Sequence, residues 1–217
     1  MAHGFNQPSA VVARTGALLT ESPLRDFEAI IRSHTPLITV ETNEEPQIVQ
    51  LVRQIGKRLQ IKTYRWTVTE GLRAFDPCDQ PQESVLKSLE LLRYIRTKAY
   101  NCLFVLLDFH PYLGDPVHVR LLKDIALEHS SHYSTVVLVG CTLAVPVELQ
   151  PYTTRFRLPL PSLDELRQIV REVAADWGAA HCNRSVETTN KALELLVRNL
   201  VGLTATDARR LAFKAIN

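Results

Sequence analysis

The sequence predicts an α/β fold: a five-stranded parallel sheet flanked by helices, followed by a small all-helical lid. Three observations predict it. Segments of strand composition alternate with segments of helical periodicity between residues 36 and 158. Two of the strand segments, 102–107 and 135–140, are almost unbroken apolar runs, as expected of strands covered on both faces. After Pro159-Leu-Pro161 the strand signal stops and only helical periodicity remains.

The elements follow in order. Residues 1–20 lack periodicity and read as a loose N-terminal arm. Ser22-Pro23 opens a helix, with proline where a missing N–H costs nothing, and Leu24, Phe27, Ile30 and Ile31 share one face. Residues 36–41 read as a strand, and 44–59 as a helix with Ile48, Leu51, Val52, Ile55 and Leu59 on one stripe. The β-branched and aromatic stretch 62–68 is a strand, 71–81 a loop, and 83–98 a helix with Val85, Leu89, Leu92 and Ile95 inward. A strand at 102–108, a helix at 116–130, a strand at 135–140 and a short fifth strand at 154–158 complete the sheet. Ser162-x-x-Glu165 is a capping box opening a helix that Gly178 is expected to stop. A second helix runs over about 185–199, and a third follows Gly202 with Thr204 as its cap. The organisation is therefore an arm (1–20), an α/β domain (21–160) and a helical lid (161–217).

Composition narrows the function. Lys plus Arg number 25 and Asp plus Glu 23, spread evenly, so no basic face invites nucleic acid. The four cysteines, Cys78, Cys102, Cys141 and Cys182, form no C-x-x-C pair. Cys102 and Cys141 lie in or beside apolar runs and read as small buried residues. No apolar stretch is long enough to span a bilayer and no signal-peptide pattern opens the chain, so a cytoplasmic protein without membrane contact is expected. Glycine is scarce: 8 residues in 217, about half the usual ~7%.

That scarcity matters where ligands bind an open parallel sheet, at the carboxyl ends of its strands. After the first strand a nucleotide-binding chain would read G-x-x-x-x-G-K-[ST], whose backbone wraps the phosphates. This chain reads Glu41-Thr-Asn-Glu-Glu-Pro-Gln47 instead, without glycine or lysine and with three carboxylates. Those carboxylates are expected to take the anion's place at the N-terminus of the helix that follows. Gly56-Lys57 echoes the motif in letters only, since it falls mid-helix. Asp108 ends the third strand where a magnesium-holding carboxylate would stand, but Phe109 replaces the acidic residue expected beside it. Thr142 follows the fourth strand where a polar side chain would sense a phosphate. His110, His118, His129 and His132 show no H-E-x-x-H spacing and read as exposed residues near helix ends, so no metal site is expected. Arg155 and Arg157 read as solvated edge residues.

Several motifs now carry a resemblance. Val136-Val-Leu-Val-Gly-Cys-Thr142, Arg155-Phe-Arg-Leu-Pro-Leu-Pro161 and Gly202-Leu-Thr-Ala-Thr-Asp207 resemble the passage from sheet to lid in AAA+ ATPases. Lys62–Gly71, Phe104–Leu113 and the acidic Val40–Glu45 loop resemble the N-terminal half of one AAA family, the hypothetical-chloroplast-reading-frame proteins of plastids and bacteria. The resemblance implies a first AAA-like domain whose P-loop is lost, followed in the parent protein by a second domain that binds ATP and magnesium. It implies no catalytic residue and no cofactor for this stretch, with Asp108 and Thr142 as vestigial candidates for nucleotide binding. It implies a regulatory, scaffolding or oligomerisation role, with the C-terminal AAA+ domain, further copies of the chain and an unidentified protein client as partners. Two alternatives remain open at this point: an unusual nucleotide site using Asp108 and Thr142, and a nucleic-acid-binding module.

Overall fold

The computed structural model describes residues 21–81, 87–181 and 190–216. The arm at 1–20, and the beginnings of the helices expected at 83 and 185, lie outside these residues. The α/β part contains α1 (Glu21–Arg32), β1 (Leu37–Glu41), α2 (Glu45–Leu59), β2 (Lys62–Thr67), β3 (Gly71–Ala74) and α3 (Ser88–Lys98). It continues with β4 (Cys102–Leu107), α4 (Pro116–Leu127), the single turn α5 (His129–His132), β5 (Thr135–Gly140) and β6 (Thr153–Phe156). Three helices follow: α6 (Leu163–Ala180), α7 (Asn190–Asn199) and α8 (Ala205–Ile216). No described helix is long and apolar enough to cross a membrane.

The sheet has six strands in the order β3-β2-β4-β5-β1-β6. All neighbours are parallel except β2 and β3, which pair antiparallel from Tyr64↔Ala74 to Thr67↔Gly71. The five expected strands are present and parallel, and β3 adds a sixth inside the stretch expected to be a loop. Gly71, at φ 70, takes the left-handed position that turns the chain back after Thr67. With four residues and one sheet neighbour, β3 leaves almost no periodic signal.

The two central strands, β4 and β5, are buried at every residue, and their alternation divides the core. Leu103, Val105, Val137 and Val139 face α1 and α2, together with Ile38 and Val40. Phe104, Leu106, Val136 and Leu138 face α3 and α4 on the other side. The chain leaves β1 through α2 on the first face and returns to β4 and β5 through helices on the second. The reversal therefore falls between β1 and β5, where their carboxyl ends lie side by side.

The C-terminal helices bury Leu166, Ile169, Val170, Val173, Val197, Leu200, Ala208 and Ala212 in a core of their own. The Ser162–Glu165 capping box starts α6. Gly178 does not stop that helix: it is buried within it, and His181 forms the C-cap. The helix expected over 116–130 is interrupted at Glu128, which leaves the helical conformation between α4 and α5.

Candidate functional site

The carboxyl edge of β4, β5, β1 and β6 gathers the residues singled out from the sequence. Strand register sets Glu41 opposite Gly140 and Val40 opposite Phe156, while Leu107 pairs with Val139. Asp108 N–H donates to Val139 O at 2.9 Å, and Thr42 N–H donates to Gly140 O at 3.0 Å. Asp108, Gly140 and Thr42 therefore form a row.

Asp108 sits at φ 52, a left-handed conformation that aspartate tolerates better than most residues. Its side chain is 62% exposed, with His110 Nδ1 3.9 Å away. That Nδ1 is a buried atom without a hydrogen-bond partner. Gly140 packs closely against this ring: an added Cβ would lie 3.3 Å from His110 Nδ1. Thr142 is exposed one residue beyond Cys141. Cys141 is itself exposed rather than buried, because β5 ends at Gly140 and the chain turns outward there. Cys102, inside β4, is buried, and burial pushes its thiol pKa up, away from reactivity.

Two carboxylates of the acidic turn after β1, Glu41 and Glu44, are engaged. Glu41 accepts a hydrogen bond from Leu143 N–H at 3.2 Å through one oxygen and pairs with Arg155 through the other. Arg155, exposed on edge strand β6 as expected, is also half of an ion pair across β1 and β6. Thr42 Oγ1 accepts from Glu44 N–H at 2.9 Å, closing the turn. Glu44 stands at the N-cap of α2, but its side chain makes no cap there. It reaches instead to α8, where Oε1 accepts from Thr206 N–H at 3.1 Å and Oε2 from Thr206 Oγ1 at 2.7 Å. The expectation that this carboxylate serves α2 is corrected: it serves a helix 162 residues away in sequence. Nothing local in the sequence signals that pairing.

These residues do not fit a bound polyphosphate. A helix N-terminus binds anions through the free N–H groups of its first turn. In α2, Pro46 has no N–H, and Gln47 and Ile48 donate to Glu44 O at 3.1 and 3.3 Å. No lysine or arginine occurs in the turn, and Glu41, Glu44 and Glu45 add negative charge. Among the described residues no group of three or more His, Cys, Asp and Glu is arranged to hold a metal ion. A groove of about 680 Å³ lies beside this edge along α2 and is lined by Arg53, Lys57, Arg65 and Phe75 among others.

Two of the histidines singled out above, and two arginines of α8, lie away from this edge. His118 and His129 are not exposed but buried, at 7% and 8% exposure, and serve the packing of α4 and α5. Arg209 pairs with Glu172 and with Asp176, and Arg210 with Asp207, all within the C-terminal helices.

A mostly parallel sheet of this order, followed by a helical unit, is the architecture of an AAA+ ATPase domain. Thermotoga maritima RuvB, in a variant form, aligns over 90% of this chain and 61% of its own length, with a TM-score of 0.55 at 16% identity. A structure titled for katanin self-assembly aligns over 88% of this chain and 67% of its own, with a TM-score of 0.52 at 11% identity. These likenesses show the shared fold. The chain belongs to the SpoVK-like AAA ATPase family: residues 24–158 match its N-terminal domain and 164–217 its second domain. It is also similar to the AAA domain-containing proteins ycf46 of Pyropia yezoensis and Guillardia theta, at 24% identity over 88% and 98% of the chain. The chain spans about two-fifths of the length of these relatives, 38% and 41%.

Proposed function

We propose that this stretch is a non-catalytic AAA+ domain that binds no nucleotide and acts as a scaffolding or regulatory module beside an active AAA+ domain in the parent protein. The observation that carries this reading is the β1–α2 turn. Pro46 lacks an N–H, Gln47 and Ile48 donate to Glu44 O, and the carboxylates of Glu41 and Glu44 are committed to Leu143, Arg155 and Thr206. Asp108 lacks a second acidic residue beside it, since Phe109 is fully buried in the core below α4. In this reading ATP and magnesium act in the companion domain. Self-association is part of the proposal: a relative of the same fold is described by its self-assembly, and an inert AAA+ domain can still supply surface to a ring.

A thermal-unfolding series with Mg-ATP and Mg-ADP tests the reading. A ligand present at 100 times its Kd stabilises by about 2.7 kcal/mol, which raises Tm by several degrees. No shift at 1 mM nucleotide is expected. A reproducible shift that Asp108→Asn removes would establish a nucleotide site at the carboxyl edge and overturn the proposal.

A further inference from the structure

We infer that Glu44 is an intramolecular latch: its carboxylate occupies the N-terminus of α8 and fixes the C-terminal helices against the sheet without any nucleotide. This deepens the reading above and rests on it. The first turn of α8 exposes N–H groups with no intrahelical acceptor. Asp207 N–H is satisfied locally by Thr204 Oγ1 at 3.2 Å. Thr206 N–H is satisfied by Glu44 at 3.1 Å, and the Thr206 hydroxyl donates to the second oxygen of the same carboxylate at 2.7 Å. The carboxylate therefore binds Thr206 through both oxygens and lies at the positive end of the helix, where negative charge is favoured.

Burial makes the contact specific. Glu44 is only 5% exposed, and a buried carboxylate is costly unless it is hydrogen-bonded. Separating α8 from the turn would leave either a carboxylate stripped of partners or one that must be rehydrated. Thr42 holds the other side of the arrangement by accepting from the Glu44 backbone N–H at 2.9 Å. The turn is thus built to present a carboxylate to the helices, not to admit a phosphate. Whatever surface α6–α8 offer a partner is presented in one orientation, independent of ATP.

Amide hydrogen exchange at Thr206 tests the latch in the full chain. This N–H has no acceptor within α8, so its protection reports on Glu44. In Glu44→Ala it should exchange at least about tenfold faster, a factor at the low end for a hydrogen bond to a charged group. Amides of β4 and β5 should keep their rates, and Glu44→Gln should fall between. Unchanged Thr206 exchange in a folded Glu44→Ala variant overturns the latch. Should Glu44→Ala not fold, Glu44→Gln, Thr206→Ala and their double variant form a cycle. Non-additive stabilities are expected, and strict additivity overturns the latch. Mg-ATP should leave Thr206 exchange in the unmodified chain unchanged, and faster exchange on its addition would overturn nucleotide independence. If ATP shifts Tm while the Glu44→Ala effect persists, the non-catalytic reading falls and the latch stands. The opposite pair of results removes the latch alone.

Discussion

Gly56 marks a close approach of α2 to β2. A Cβ added there would lie 2.3 Å from Thr63 Cγ2, so helix and strand meet at a distance that only glycine permits. Alanine normally gains about 1 kcal/mol over glycine inside a helix. Overpacking of this severity costs about 1–3 kcal/mol, so Gly56→Ala should be destabilising by urea titration despite its helix propensity. Removing the obstructing methyl as well, in Gly56→Ala with Thr63→Ser, should recover part of the loss. A stabilised Gly56→Ala single variant would show that the contact yields freely. Gly56-Lys57 is therefore a packing feature, and its likeness to a phosphate-loop signature ends with the letters.

His129 gives the fold a pH dependence. Burial, then the nearby His34, push its pKa below the ordinary 6.5. The unfolded chain therefore binds a proton on this residue that the folded chain refuses. Stability from this group is fully present above about pH 6.5 and falls as pH drops through the folded pKa. Urea midpoints measured at pH 7.5 and 5.5 should decline in the unmodified chain and decline less in His129→Gln. An equal decline in both would assign the slope to other groups.

At the scale of elements, α3 and α4 are joined by polar contacts at both ends. Ser88 Oγ and His118 Nε2 lie 2.8 Å apart, and His118 Nδ1 lies 2.9 Å from Asp115 Oδ2. Asp115 also caps α4 by accepting from Val117 N–H at 2.8 Å. At the far end, the Arg96 guanidinium binds both oxygens of Glu128, at 3.1 and 3.2 Å from Nε and 2.7 Å from Nη2. His118→Ala removes the shared partner of Ser88 and Asp115 and leaves a cavity. It should cost about 2–3 kcal/mol in chemical unfolding, and Val117→Ala, at an exposed neighbour, very little.

The same elements show which features the sequence carried. The apolar runs of β4 and β5 and the stripes of α2 and α6 are legible because burial on a regular face imposes a period. The buried histidines followed the same rule: His118, Leu122, Ile125, Ala126 and His129 fall at i, i+4, i+7, i+8 and i+11, a single stripe. Reading them as exposed put residue type above position. Edge strand β3 was not legible, because four residues against one neighbour impose no alternation. Nor was the Glu44–Thr206 contact, which depends on tertiary placement across the whole chain. The candidate edge itself was legible, since strand ends fix Asp108 and the turn after Glu41, but the partners of its carboxylates were not.

At the scale of the molecule, the sheet and the C-terminal helices have separate cores of unequal size. Among the described residues, the sheet buries two apolar clusters, one on each face, whereas α6–α8 share one small cluster in which two of the eight buried residues are alanines. Burial contributes roughly in proportion to apolar area, about 25 cal/mol per Å², so the helices should open at a lower free energy than β4 and β5. Two bridges oppose independent opening: residues 157–162, stiffened by Pro159 and Pro161, and the Glu44–Thr206 contact. Hydrogen exchange in low urea should therefore sort the slow amides into two isotherms, with α6 and α8 opening below β4 and β5. Loss of the Glu44 carboxylate should lower the helical isotherm and leave the sheet's unmoved. One isotherm shared by all the slow amides, in the unmodified chain and after loss of the carboxylate alike, would mean that the two cores unfold as a unit and that the latch adds nothing to their coupling.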